Sequence, residues 1–341
     1  MAYTVTLIPG DGIGPEVTGA TQEVLAAAGA PIEWEVVHAG QRAYEETGVP
    51  VPEAVLKSIR KNRIGLKGPL ATPKGKGFRS ANVTIRQELL LYTGLRPVRT
   101  LPGIETPYTD VDLVVLRENT EDLYAGIEHE VLPGQVISLK VSTKAAGERI
   151  AKWAFEYMRY RGRRKISCCA KPGVSPLADG AFIDAFRKVG GDYPFIEQES
   201  LPIDNLSMAL AMDPTKFDVL LLQNLYGDII SDLCAGLVGG LGVVPGANVG
   251  DRIAVFEAVH GTAPDIQGKG IANPLAVLSS AVMMLEFIGE HAIASRIDQA
   301  IWTVLEEGKH LTGDLGGSAN TAEFTQALID KLPPAKKGGA L

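Results

Sequence analysis

The sequence predicts an α/β protein with a mainly parallel sheet, and two observations carry that expectation. Strand-like and helix-like segments alternate along almost the whole chain, the order expected where helices cross over between parallel strands. The length of 341 residues fits about two domains at ~150 residues each, and 45% hydrophobic with 21% charged residues supplies cores of that size. Residues 3–8 alternate, carry β-branched side chains, and stop at Pro9-Gly10-Asp11-Gly12; residues 16–28 then have helical composition. Further strands are expected at 32–37, 111–116, 166–169, 217–222 and 253–256. Helices are expected at 52–61, 84–92, 144–160, 179–189, 228–237, 274–288 and 292–307. The 38 glycines and 21 prolines belong in turns and close-packed loops. Two Gly- or Pro-bearing stretches, 95–103 and 239–250, are the expected crossings between domains. They divide the chain into a large domain, 1–95 plus 241–341, and a small domain, 96–240, while 333–339 reads as a frayed tail.

Composition also excludes function classes. A net charge of −7 gives no global basic field for nucleic acid or anionic lipid, and the basic runs at 57–63 and 159–165 lack interleaved aromatics, as solvated surfaces do. The 3 cysteines form no disulfide framework, because Cys168 and Cys169 are adjacent and Cys234 is left over. With no basic or apolar leader ahead of the first strand, the expected location is a reducing cytoplasm. Two apolar stretches, 233–250 and 271–285, are respectively broken by glycines with Pro245 and too short for a span, so no membrane partner is expected.

Several constellations carry chemistry. Gly10-Asp11-Gly12-Ile13-Gly14-Pro15 resembles a dinucleotide fingerprint, but Pro15 stands where its third glycine is needed. Asp228 and Asp232 lie four apart on an expected helix and so share a face; two carboxylates there suit Mg²⁺ or Mn²⁺, with Asp204 as a third oxygen ligand. On spacing alone, two solvated aspartates at a helix N-terminus, favoured by the dipole, are the plainer reading. Ser80, Asn82 and Arg86 surround a helix start after a Gly-rich segment, and Arg96 and Arg117 add two forks, a donor set for a polycarboxylate. Lys171 ends a strand beside apolar residues and precedes Pro172, a setting for a proton acceptor; Tyr124 is able to give or take a proton. In His260-Gly261-Thr262-Ala263-Pro264-Asp265, small residues allow close approach of a nucleotide, and Asp265 suits the hydroxyls of an unphosphorylated ribose; an ordinary Gly-Pro turn is the alternative.

The order of LIPGDGIGPE, LKGPLATP, RSANVTIRQELLLY, LRP, RENTEDLYAGIEH, NLYGDIISDL, GLVGGLG and HGTAPDIQGKGIANP resembles the β-decarboxylating dehydrogenases, the isocitrate/isopropylmalate dehydrogenase family. The resemblance implies that family's non-Rossmann fold, with the active site in a cleft between two domains and completed by the partner in a homodimer or larger homo-oligomer. It implies that Ser80, Asn82, Arg86, Arg96 and Arg117 bind substrate and that Asp204, Asp228 and Asp232 bind Mg²⁺ or Mn²⁺, Asp204 coming from the other subunit. Lys171, also from the partner, would take the substrate hydroxyl proton as hydride leaves for NAD, and Tyr124 would protonate the product after CO₂ loss. Lys67, Leu70, Thr72, Glu257, His260, Gly261, Thr262, Ala263, Asp265, Ile266 and Asn273 would bind the cofactor, with Asp265-Ile266 the NAD version of its loop. By the same resemblance Ser80 and Asn82 would select isocitrate, converted to 2-oxoglutarate; homoisocitrate or 3-isopropylmalate oxidation and a non-catalytic regulatory subunit are the alternatives. One departure stands at Gly173, where the family carries an Asn near the nicotinamide.

Overall fold

The computed structural model describes residues 2–71 and 79–335. Thr72 therefore lies outside the described residues. The first half of the chain forms β1 (Tyr3–Ile8), α1 (Gly14–Ala27), β2 (Ile32–Val36), α2 (Gln41–Thr47), α3 (Glu53–Asn62), β3 (Ile64–Lys67), α4 (Ala81–Glu88), β4 (Thr93–Arg99), β5 (Asp112–Glu118), β6 (Asp122–Leu132), β7 (Gln135–Val141) and α5 (Lys144–Arg161). The second half forms β8 (Lys165–Ala170), α6 (Ala178–Gly190), β9 (Glu197–Pro202), α7 (Ile203–Met212), β10 (Val219–Leu222), α8 (Asn224–Leu237), β11 (Pro245–Val249), β12 (Ala254–Ala258), α9 (Leu275–Phe287), α10 (His291–Glu307) and α11 (Thr321–Asp330).

One 10-stranded sheet runs β2-β1-β3-β12-β11-β4-β5-β10-β8-β9. Its two wings, β2-β1-β3-β12 and β5-β10-β8-β9, are each parallel. They are joined through β11 and β4, which pair antiparallel with each other and with their outer neighbours. The apolar runs in β5, β8 and β10 are buried throughout, as a parallel wing covered on both faces requires. α5 packs against α6 and touches β5 and β10, while α9 packs on β11 and β12. No helix among the described residues is long and apolar enough to cross a membrane.

Two expectations shift. The stretches at 95–103 and 239–250 hold strands, β4 and β11, so the chain crosses the centre of the sheet as paired strands rather than as open linkers. Asp204 stands in the first turn of α7, not in an isolated turn. The β6–β7 ribbon, which the residue pattern did not predict, stands apart from the main sheet and exposes Leu132, Val136 and Leu139. Close approach fixes two glycines. At Gly12, φ is +60° and a Cβ would sit 2.0 Å from the Thr262 carbonyl oxygen; at Gly227, a Cβ would sit 2.7 Å from the Arg117 side chain.

Candidate active site

The site gathers where β4, β5, α4 and α8 converge. α8 starts earlier than its apolar pattern indicates, because the Asp122 carboxylate accepts a hydrogen bond from the Leu225 N–H at 2.7 Å and caps the helix from another strand. Asp228 consequently sits one turn inside the helix and is half-buried, whereas Asp232, one turn further on, is exposed. Gly227 lets this turn lie against β5. There Arg117, only 1% exposed, donates from Nε and Nη2 to Asn224 Oδ1 at 3.0 and 2.7 Å and from Nη1 to Asp228. The same guanidinium lies 4.9 Å over the Tyr124 ring, whose hydroxyl donates to the other Asp228 oxygen. Arg96 donates to Ser231 Oγ at 2.5 Å and lies 3.5 Å from Asp232 and 3.9 Å from Asp228.

These contacts set the charge states. Burial works against the Asp228 carboxylate, but Arg117, the Tyr124 hydroxyl and Arg96 outweigh it and hold it below its usual value. Asp232 is raised by burial and by Asp228, against the pull of Arg96. Tyr124 is raised by burial and by its bond to Asp228, so it stays protonated at neutral pH. Burial, Arg86 and Arg96 all oppose the charge of Arg117. A bound polyanion relieves that crowding of buried cations.

Arg86 follows from the start of α4. The helix begins at Ala81, with Ser80 in the N-cap position, so Asn82 and Arg86 are four apart on one face. Arg86 Nη2 donates to Glu257 Oε1 at 2.8 Å, Lys67 lies 2.5 Å from the other carboxylate oxygen, and Asn248 donates to Oε1 at 2.6 Å. Glu257, buried on β12, is held ionised well below the carboxylate range: burial opposes this, and Lys67 and Arg86 overcome it. Asn82, Arg86, Glu257, Lys67, Leu70, Arg96, His260 and Gly261 line a cavity of about 130 Å³. Asn82 Oδ1, Arg86 Nε and His260 Nε2 are buried there without partners among the described residues, donors and acceptors that suit a polar ligand.

The cofactor candidates continue from this cavity. The Ile13 N–H donates to the Thr262 carbonyl at 3.0 Å, so the loop after β1 braces the loop of His260 to Asp265. Ala263 takes φ +39°, and Asp265 is exposed. Ile13, His260, Ile266, Asn273 and Asp314 line a second, mostly apolar cavity of about 420 Å³. Asn273 donates to Asp314 Oδ2 at 2.9 Å. These two cavities share His260 and fit a long, two-ended ligand such as a dinucleotide: orphaned polar atoms at one end and an apolar pocket at the other. The 311–319 segment was not expected from sequence; its only signal is a Gly-rich turn between α10 and α11.

Lys171 and Asp204 stand apart from this centre and face each other. Lys171 Nζ lies 2.5 Å from Asp204 Oδ1 and holds that carboxylate below its usual value. The Lys171 N–H donates to Asp179 at 2.6 Å, and this buried aspartate also accepts from Lys140 at 2.5 Å and from Tyr226 at 3.2 Å. Asp228 and Asp232 provide two hard oxygen donors for a divalent cation. Among the described residues no three His, Cys, Asp or Glu side chains gather as a metal site, so the chain alone does not bring Asp204 to Asp228 and Asp232.

A family model described as Isocitrate/isopropylmalate dehydrogenase matches residues 4–328. The chain is 50% identical over 330 residues to isocitrate dehydrogenase [NAD] catalytic subunit 5, mitochondrial, of Arabidopsis thaliana, covering 96% of this chain and 88% of that protein. It is 48% identical over 329 residues to a mitochondrial NAD isocitrate dehydrogenase regulatory subunit of Dictyostelium discoideum, covering 96% of this chain and 91% of that one. The crystal structure of isocitrate dehydrogenase from Methylococcus capsulatus superposes with a TM-score of 0.94 at 46% identity, covering 97% of this chain and 99% of that chain. These relatives correct the cytoplasmic location expected from the first residues, because the Arabidopsis protein and those of Drosophila melanogaster, Schizosaccharomyces pombe and Pongo abelii are named as mitochondrial. The alternation read there belongs to β1, Tyr3–Ile8, and carries no address.

Proposed function

The chain belongs to the isocitrate/isopropylmalate dehydrogenase family, and from that premise we propose that it oxidatively decarboxylates isocitrate to 2-oxoglutarate and CO₂ with NAD. The observation that carries this reading is the grouping of three buried guanidiniums: Arg96 and Arg117 on the Asp228 face of α8, and Arg86, anchored on Glu257, lining the same cavity as Arg96. Such a cluster suits a tricarboxylate better than a dicarboxylate that carries an alkyl group in place of the third carboxylate. Ser80 and Asn82 at the start of α4 hydrogen-bond the third carboxylate.

Bound at this site, NAD supplies the hydride acceptor and Mg²⁺ or Mn²⁺ at Asp228, Asp232 and a second chain's Asp204 supplies Lewis-acid polarisation of the substrate oxygens. Lys171 of that second chain takes the hydroxyl proton as hydride leaves C2. After the β-carboxylate departs as CO₂, protonated Tyr124 returns a proton to C3, and its bond to Asp228 aims the hydroxyl. Lys67, Leu70, Thr72, Glu257, His260, Gly261, Thr262, Ala263, Asp265, Ile266 and Asn273 hold the cofactor. Asp265 reads the free ribose hydroxyls.

The domains are 1–95 plus 241–341 and 96–240, with the site in the cleft between them. The isolation of the Lys171–Asp204 pair from Asp228, together with the exposed apolar β6–β7 ribbon and Met208, Met212 and Ile229 on α7 and α8, supports an assembly of at least two chains with shared sites. A homo-oligomer suffices for this. The mitochondrial names of the relatives supply the setting.

Gly173 favours a second reading, a regulatory subunit that needs a catalytic partner, as one relative's name describes for itself. The isolated chain, given isocitrate, NAD⁺ and Mg²⁺ and followed by NADH formation, decides between them. Turnover without another polypeptide supports catalysis; strict dependence on a second one overturns it.

A further inference from the structure

We propose that Asn248 is a positioning residue which, through Glu257, holds Arg86 in the orientation that receives the substrate. Asn248 lies on β11 and is buried, as is Asn119, the residue that follows β5. Its Oδ1 accepts from Asn119 Nδ2 at 2.9 Å, and its Nδ2 donates to Glu257 Oε1 at 2.6 Å. Asn119 Nδ2 also donates to the Leu91 carbonyl at 3.2 Å, which fixes that amide. The orientation of Asn248 is thereby determined, since a flipped amide would set its oxygen against the carboxylate and its NH₂ against the Asn119 NH₂.

The consequence runs across the sheet. β5 carries Arg117, β11 carries Asn248, β12 carries Glu257 and α4 carries Arg86. The Asn119–Asn248–Glu257–Arg86 chain therefore ties the strand of one substrate arginine to the guanidinium of another. Glu257 receives Lys67 on one oxygen and both Asn248 and Arg86 on the other, so the Asn248 amide sets the carboxylate plane on which Arg86 rests. Arg86 lines the cavity, and its Nε is buried with no partner among the described residues. Turning that plane turns the Arg86 guanidinium that rests on it, and with it the donors offered to a ligand in the cavity.

The inference rests on the isocitrate reading, and calorimetry separates the two. Wild-type binding of isocitrate is titrated first, with turnover measured alongside; binding without turnover refutes the catalytic reading alone, and absence of binding refutes both. In Asn248→Ala, the isocitrate Kd and KM rise about tenfold, as expected for one lost orienting hydrogen bond to a charged group, while kcat stays within about twofold. A merely structural role gives the reverse, a lower active fraction that reduces kcat and leaves KM unchanged. Asn248→Asp preserves shape and guards against a variant that fails to fold. It places a second carboxylate against Glu257 among Lys67, Arg86, Arg96, His260 and the neutral Asn119, so isocitrate binding is weak at pH 8 and recovers as pH falls and the two acids share a proton. A Kd within twofold of wild type in both variants, or an Asp variant whose pH profile matches that of the Ala variant, overturns the proposal.

Discussion

Replacing Glu257 by Gln removes the single negative charge at the centre of a buried cationic group. Its side chain is 10% exposed, that of Lys67 3% and that of Arg86 11%, so water replaces little of what is lost. Gln keeps the shape and one acceptor for Arg86 and Asn248, but leaves the Lys67 ammonium without its counter-charge. Breaking a buried pair in this way costs about 3–5 kcal/mol, and the retained acceptor places this variant near the lower end, about 3 kcal/mol. Urea unfolding at fixed protein concentration and pH 7.5 reads the loss as a lower midpoint. Lys67→Met in the same background recovers part of it, because the unpaired cation is then gone. The sign with pH follows from the depressed folded pKa of Glu257. Its stabilisation is fully present above the unfolded value of about 4.3 and is lost as pH falls toward the folded one, so wild type and variant converge on acidification. A loss below about 1 kcal/mol at pH 7.5, or a Lys67→Met change that adds a further full penalty, refutes the ion-pair account.

Three further outcomes follow from the site. Tyr124→Phe lowers kcat by about 10²- to 10⁴-fold with little change in the isocitrate KM, in steady-state assays at neutral pH, since it removes a proton donor and spares the arginines. Asp265→Lys raises the NAD⁺ KM about tenfold or more in initial-rate assays, and unchanged KM values for both NAD⁺ and NADP⁺ mean that Asp265 does not read the ribose. Lys171→Met and Asp228→Asn, each inactive alone, regain part of the wild-type rate when co-refolded, because one mixed pair restores one complete site; no recovery in a confirmed mixed oligomer excludes shared sites.

Much of the fold was legible because periodicity reports local structure. The alternation that ends at Ile8 and the apolar run at 219–222 both formed strands as expected. What escaped depends on distant partners. α2 is held at its start by the Asp11 carboxylate, which accepts from Gln41 N–H at 2.9 Å across thirty residues. α8 owes its first turn to Asp122, and β11 lies in a Gly-rich stretch that becomes a strand only because β4 and β12 flank it. The charged site residues were legible as types, since arginines and aspartates in these motifs announce polyanion and cation chemistry. Asn224, Ser231, Asn248 and Asp179 were not, as amides, hydroxyls and a lone acid gain meaning only from what the sheet sets beside them. The acidic net charge of −7 says little about the ligand, whose surroundings are the buried arginines.

The most direct measurement is kcat/KM of the purified chain with NAD⁺ and Mg²⁺ on isocitrate, homoisocitrate and 3-isopropylmalate side by side. Isocitrate is expected to lead both rivals, by about tenfold or more: 3-isopropylmalate brings an alkyl group to Ser80 and Asn82 in place of the third carboxylate, and homoisocitrate carries that carboxylate on one extra methylene. A higher value for either rival contradicts the assignment.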